Sequence, residues 1–417
     1  MKSRFLVIVL AICSRSLLPG QSGWTVQNAG ITTLIRSIKS LDRNIGWITA
    51  DESVIRRTTN GGMTWDTIPS PTQVPWTIAA LNDSIAMVSH YGSSAIIYRT
   101  TDGGVSWTSV FEQQGGFIDA LLMVDQHIGF ALGDPVNGQW TVLTTTDAGV
   151  TWQHCANEPP QIGVEYGWTQ SFCTIGTRHF WFGSDEAKIY RSTDGGESWS
   201  YTVTSSALCS AVSFTDSMNG VAGFYDGTVA YSSDGGVTWN DATPPGSGSI
   251  WGITNDGIRS FWLPRGDTAF VSTDRGRTWQ SEFAGPWGGY LRDINFSRDG
   301  SVLSGWVGSS EGGVARYEGV VTSLHTPGSS SFFSLDQNYP NPFNPTTTIA
   351  YDLPVDGHVA LTVYAVLGKE VLILVNEHQK AGHHVTTLDA SRLSSGIYFY
   401  RIQAGEFSQT RKVVLVR

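Results

Sequence analysis

Cysteine is scarce in this chain: four residues in 417, one of them (Cys13) inside the first twenty-two. The other three, Cys155, Cys173 and Cys209, are odd in number and leave room for at most one intramolecular disulfide. They sit in no CxxC pair or His/Cys cluster, so the sequence gives no reason to expect a metal site, and we expect no metal and no cofactor. Small buried thiols are the plain reading. Charge is also sparse, at 15% of residues. After residue 22 no stretch is long and apolar enough to cross a bilayer as a helix. Positive charge is short where it would matter for nucleic acid: residues 23–331 hold sixteen basic and twenty-nine acidic residues, a net of −13. A phosphate backbone is repelled by such a body. Residues 332–417 are neutral, with seven of each sign.

Glycine (47) and tryptophan (16) are abundant instead. High glycine, many aromatics and few charges fit short strands joined by tight turns, and so an all-β chain. The N-terminus has the form of a secretory signal. Lys2 and Arg4 precede the apolar run Phe5–Cys13, and Gly20-Gln21-Ser22 supplies small residues for cleavage. Residues 1–22 are therefore expected to be a signal peptide.

One octapeptide recurs: TTNGGMTW (58–65), TTDGGVSW (100–107), TTDAGVTW (145–152), STDGGESW (192–199), SSDGGVTW (232–239) and STDRGRTW (272–279). Each copy lies between two strand-like runs, such as Ala95–Arg99 and Thr108–Phe111, and so predicts a hairpin turn. Its Asp, or Asn60 in the first copy, can accept N–H groups across the turn. Its Gly meets a positive φ, and its Trp folds back as a plug between repeats. Upstream of each box a second element recurs, as in IGWITA (45–50), FWFGS (180–184) and LSGWVG (303–308). There are seven of these and only six boxes. Trp24, in Ser22-Gly23-Trp24-Thr25-Val26, supplies the missing box Trp. Counting it, seven tryptophans (24, 65, 107, 152, 199, 239 and 279) are spaced by 40 to 47 residues. We expect residues 23–321 to form a seven-bladed β-propeller, with the N-terminal strand completing the last blade and removing exposed sheet edges.

These residues resemble the Asp-box (BNR) repeat superfamily, and most of all its single-propeller members akin to photosystem II assembly and stability factors. The run GDPVNG (133–138) is shared with uncharacterised bacterial relatives. The motif specifies a fold and says little about function, because glycosidases, sorting receptors and assembly factors all carry it. The resemblance implies that the boxes lie between the third and fourth strands, on the face away from the ligand. Asn60, Asp102, Asp147, Asp194, Asp234 and Asp274 are then structural. Beyond a linker at 322–332 rich in Ser, Gly and Pro, residues 333–417 predict a small Ig-like β-sandwich with strands near 358–364, 370–375, 386–389, 396–402 and 411–416. The run Tyr339-Pro340-Asn341-Pro342-Phe343-Asn344-Pro345, together with Gly396, Tyr398 and Lys412, closely resembles the C-terminal sorting domain of type IX secretion cargo. That resemblance implies the type IX machinery as a partner and a secreted or outer-membrane-surface location.

Aligning the repeats places Arg36, Trp76, Asp119, Trp168, Ser210, Trp251 and Arg292 near the starts of the innermost strands. Loops between second and third strands add Asp51, Glu52, Tyr91, Asp134, Asp185, Glu186, Asp226, Arg265, Asp267 and Glu311. Such residues also serve simply to pack blade tops and a channel. As a mouth, aromatics stack on sugar C–H faces or side chains, and arginines fork onto carboxylates. Three functions follow: a non-enzymatic protein binding a glycan or protein partner, a glycoside hydrolase, or an assembly factor for an envelope complex. A sialidase needs three arginines, and only Arg36 and Arg292 are candidates. A glycosidase needs two carboxyls about 5–9.5 Å apart, for which Glu52 or Asp134 opposite Asp226 or Glu311 are the available pairs. With no compelling acid/base set, catalysis is not expected. The body is expected to be monomeric.

Overall fold

The computed structural model describes residues 23–320, apart from 205–207 and 301, and residues 334–416, apart from 336, 337, 339, 354, 355, 367, 381 and 406. The expected signal peptide, the expected linker and Tyr339 lie outside the described residues. Among the described residues there is no helix, and nothing is long and apolar enough to cross a membrane as one.

Seven four-stranded antiparallel sheets are built from Trp24–Val320. The first comprises Ile35–Ser40, Gly46–Ala50, Val54–Thr58 and Asp66–Ile68, hydrogen-bonded in chain order, and the next five repeat this meander. The seventh runs Leu291–Asp299, Val302–Ser309 and Val314–Val320, and its fourth strand is Trp24–Gln27 from the other end of the described chain. Trp24 pairs with Tyr317 and Gln27 with Val314.

Each sheet packs face to face on the next. Trp47 and Ile55 of the first meet Ile78 and Val88 of the second. Leu132 and Trp140 of the third meet Phe172 and Phe182 of the fourth. Trp306 and Val314 of the seventh return to Ile35 and Ile48 of the first. The stacking therefore closes on itself, which is the packing of a β-propeller. It also explains the second recurring element in the sequence. A second strand such as Gly46–Ala50, His179–Gly183 or Gly220–Phe224 is buried at every residue, since both faces meet a neighbouring sheet. Such a strand reads as an unbroken apolar run with no alternation.

The boxes are the turns between third and fourth strands. Their hub is the leading hydroxyl. The Thr145 Oγ1 is buried, donates to Asp147 Oδ1 (2.8 Å) and accepts the N–H of Gly149 (3.0 Å). Asp147 in turn accepts the N–H and the hydroxyl of Thr151 at 2.9 and 2.7 Å. These bonds hold the Asp147 carboxyl down at about 2. Two consecutive residues in each box adopt positive φ. The first tolerates Ala148 and Arg275, while the second is always Gly. A Cβ on Gly104 would lie 2.2 Å from Ile68, and one on Gly149 2.2 Å from the Met87 sulfur. The box Trp then packs towards the preceding sheet: Trp65 meets Trp306 edge-on at 5.7 Å, and the Trp107 indole donates to the Pro69 carbonyl (2.9 Å).

Two further sheets occupy the C-terminal region. One runs Ser334–Leu335, Thr346–Leu353, Gly382–Asp389; the other Glu370–Gln379, Gly357–Ala365, Gly396–Ala404, Phe407–Leu415. They share a core of Ile349, Tyr351 and Leu388 against Leu361, Tyr400 and Val413. Thr346–Leu353 was not anticipated as a strand, because the Pro/Asn-rich run before it masks its alternation. Thr347, Ile349, Tyr351 and Leu353 are its buried face. Cys155, Cys173 and Cys209 are free thiols, so the single possible disulfide is not formed. Burial pushes the Cys155 thiol up to about 11 and the other two up to about 12.

Candidate functional site

A β-bulge recurs at one position of the innermost strand. Pairing with the second strand shifts register between Ile35 and Ser37, Pro75 and Ile78, Ile118 and Ala120, Cys209 and Ala211, and Leu291 and Asp293. The residues at these irregularities are Arg36, Trp76 (with Thr77), Asp119, Ser210 and Arg292. A bulge re-aims a side chain without disturbing the ladder on either side. The repeat alignment had singled out these same positions. In the fourth and sixth sheets the innermost strand begins later, at Phe172 and Thr254, so Trp168 and Trp251 sit on the loops leading in.

The structure brings the first, second and seventh inner strands' residues into one arginine–aromatic layer. Arg36 forks onto Asp51 at 2.7 and 2.9 Å and lies 4.4 Å over the Trp76 ring. Trp76 stacks on Tyr91 (4.8 Å), and Phe117 meets both edge-on. On the other side Arg292 lies 3.9 Å over Trp251, which stacks on Trp168 (5.8 Å) and Tyr290 (6.1 Å) and meets Tyr225 edge-on. Arg292 is 5% exposed, and its Nε has no hydrogen-bond partner among the described residues. Burial, joined by repulsion from Arg36, lowers its pKa to about 10. It stays protonated at neutral pH.

Thr169 and Gln170 span the middle. The Trp76 indole donates to Thr169 Oγ1 (2.6 Å), and Gln170 Nε2 donates to Asp293 Oδ2 (3.1 Å) and to Ser37 Oγ (3.4 Å). These bonds tie the approach to the fourth sheet to the first, second and seventh, which are not its neighbours in the ring. The centre of the ring is thereby obstructed. Asp293 also accepts the Ile38 N–H (2.7 Å), and burial raises its carboxyl to about 6.

A second group lies at the third and fourth sheets. Asp134 accepts the N–H of Gly167 and Asp185 that of Tyr166, both at 2.8 Å. Asp119, 3% exposed, lies against Gly167, and its Oδ2 has no partner. Burial raises all three carboxyls, Asp134 to about 6, and Asp134 and Asp185 push Asp119 further up. The remaining candidates stand apart from these groups. Glu52 is exposed at a turn with φ 62°. Asp226 is a turn-builder, accepting the N–H (2.9 Å) and hydroxyl (2.6 Å) of Thr228. Arg265 ends the second strand of the sixth sheet and donates to the Pro244 carbonyl. Glu311 is exposed and accepts from Ser310 (3.2 Å). Thr169, Gln170 and Asp293 were missed by sequence reasoning, since no repeat position marks them. Among the described residues no group of His, Cys, Asp and Glu is arranged to hold a metal.

Comparison with known proteins separates the two halves. The family described as photosynthesis system II assembly factor YCF48 matches residues 20–127, and the BNR/Asp-box repeat matches 190–201. No curated protein matches the chain. Among solved structures, YCF48 bound to D1 peptide is 19% identical with a TM-score of 0.57, covering 71% of this chain and 97% of its own. YCF48 from Cyanidioschyzon merolae is 16% identical (TM-score 0.56), covering 70% of this chain and 98% of its own. At these identities the likeness is one of fold. PorZ of Porphyromonas gingivalis, described as an essential bacterial surface component of the type-IX secretion system, is 12% identical with a TM-score of 0.51. It covers 94% of this chain and 60% of its own. Residues 337–416 match the secretion system C-terminal sorting domain.

That sorting domain marks the chain as a type IX export product, secreted or held at the cell surface. Its motif residues are clamps. Asn341 donates to the Lys412 carbonyl (3.2 Å) and accepts the Val414 N–H (2.8 Å), while the Pro340 carbonyl accepts from Asn338 (3.0 Å) and Thr347 (2.8 Å). Phe343, buried, exchanges N–H···O bonds with the last strand at 3.0 Å. Tyr398 donates to the Ser394 carbonyl (2.8 Å) just before Gly396 opens its strand.

Proposed function

We propose that the chain is a surface-displayed, non-catalytic binding protein, with a seven-bladed propeller over residues 23–321 that holds a segment of a protein partner at its mouth. The linker at 322–332 joins it to an Ig-like sandwich at 333–417 used for export. The observation that carries this reading is the pair of guanidinium–indole stacks, Arg36 on Trp76 and Arg292 on Trp251. They offer one buried cation without an ion pair among the described residues, Arg292, a second guanidinium held by Asp51, and flat apolar faces, suited to a carboxylate-bearing, partly aromatic polypeptide. The obstructed centre supports surface capture over passage or deep burial of a substrate. The assembly-factor match over residues 20–127 supports a partner-holding role. The test is binding of the exported chain to peptide and glycan arrays, beside an Arg36→Ala, Arg292→Ala double variant. Capture of acidic peptides, weakened tenfold or more in the double variant, is expected. Capture of glycans alone would overturn the reading.

One observation favours hydrolysis as a second reading: Asp134, held at about 6, has the raised pKa of a general acid. Hydrolysis of a glycoside by the wild type, abolished in Asp134→Asn, would establish it.

A further inference from the structure

Asp119, Asp134 and Asp185 stand together on the third and fourth sheets, opposite in sign to the arginine layer. Asp119 is carried there by the bulge of its inner strand, Asp134 by the end of the second strand, and Asp185 by the turn after Gly183. Tyr166-Gly167 lies over them, donating one N–H to Asp185 and one to Asp134. Lys188, on the next strand of the fourth sheet, is committed elsewhere, to Glu165 (3.1 Å) and the Ile162 carbonyl (2.9 Å). Among the described residues none of the three carboxyls forms an ion pair. Asp119 is the telling member. It is almost wholly buried, Oδ2 has no hydrogen-bond partner, and the side chain is aimed at the segment closing this part of the mouth. Leaving a buried carboxyl unpaired costs stability, and so does setting three carboxyls side by side. Strain of this kind collects where a ligand relieves it.

We infer that Asp119, Asp134 and Asp185 form a subsite for an organic cation, the ammonium or guanidinium of a lysine or arginine side chain on the bound partner. The inference rests on the reading of the mouth as a binding face and deepens it. A partner segment with an acidic residue for Arg292 would place a basic one here. An organic cation fits better than a metal ion, since the three carboxyls lack metal-binding geometry and two of them already accept backbone N–H groups. Tyr166, exposed and tied to Asp185 through its own N–H, offers a ring that suits a cation's alkyl stem.

The full chain is titrated, at fixed ionic strength, with the amides of N-acetyl-lysine, N-acetyl-arginine and N-acetyl-norleucine, followed by NMR or calorimetry. The two cations are expected to bind at least tenfold better than the neutral norleucine compound. Asp119→Asn and Asp185→Asn each remove that preference, while Glu112→Gln on an outer strand keeps it. Asp119→Asn is also expected to raise Tm, which shows that lost binding is not lost folding. Equal binding of all three compounds, unchanged cation affinity in both Asp variants, or binding of calcium alone would overturn the inference. Failure here would leave array binding to the arginine layer untouched, so the two proposals fail separately.

Discussion

Thr145 and its five counterparts are the buried part of each box, inside the Asp that gives the box its name. Thr58, Thr100, Thr145, Ser192, Ser232 and Ser272 are all buried, and each hydroxyl serves the turn from inside. The acid sits nearer solvent, and Asn60 takes its place in the first box with the same N–H acceptor (3.0 Å from Thr64). Replacing the hydroxyl leaves a buried N–H unpaired. Thr145→Val is therefore expected to cost about 1–3 kcal/mol, read by chemical denaturation, and Asp147→Asn distinctly less. Equal losses would contradict this ordering. The sequence shows that a hydroxyl recurs before every box, but not that it faces inward, because burial depends on the neighbouring sheet.

The strand Trp24–Gln27 is the element on which ring closure depends. Its Trp24 stacks on Phe283 (5.0 Å), across the joint with the sixth sheet, and tilts against Tyr317 (5.2 Å). Trp24→Ala is expected to destabilise the chain by about 3–5 kcal/mol, the usual loss for an interior Trp, with Trp152→Ala similar at the second–third sheet joint. Deleting residues 23–27 leaves Val314–Val320 as an unpaired edge and is expected to produce oligomers on size-exclusion chromatography. A deletion variant that stays monomeric with unchanged Tm would refute the closure. The spacing of tryptophans makes this element legible in the sequence. The recurring bulges are not, since a bulge is a property of paired strands.

Over the whole molecule the carboxyls pull stability in opposite directions with pH. Asp134 and Asp293 sit at about 6 against an ordinary 3.8. The folded chain therefore takes up protons there before the unfolded one does, and stability rises as pH falls from about 7 towards 4. The relief is about 1–3 kcal/mol for each group. Asp102, Asp147 and Asp194, held at about 2, act the other way, and what they add is lost as pH falls below about 4. Thermal unfolding should thus show its highest Tm near pH 4–5, with Asp293→Asn flattening the limb above it. A Tm climbing steadily from pH 4 to 7 would contradict the assignment.

The sequence by itself determined the repeat, the turn that carries it, the strand that completes the last sheet and the sorting domain. Each is written in local patterns: a box of eight residues, a period of about forty, and a Pro/Asn run before alternating strands. Only the tertiary structure decided what the mouth is made of. Arg292 over Trp251, Gln170 reaching Asp293, and Asp119 unpaired beside two other acids join residues up to 123 positions apart. No repeat position encodes those meetings. They arise because closing the ring turns the innermost strands towards a common centre, where side chains from non-neighbouring sheets come within hydrogen-bonding reach.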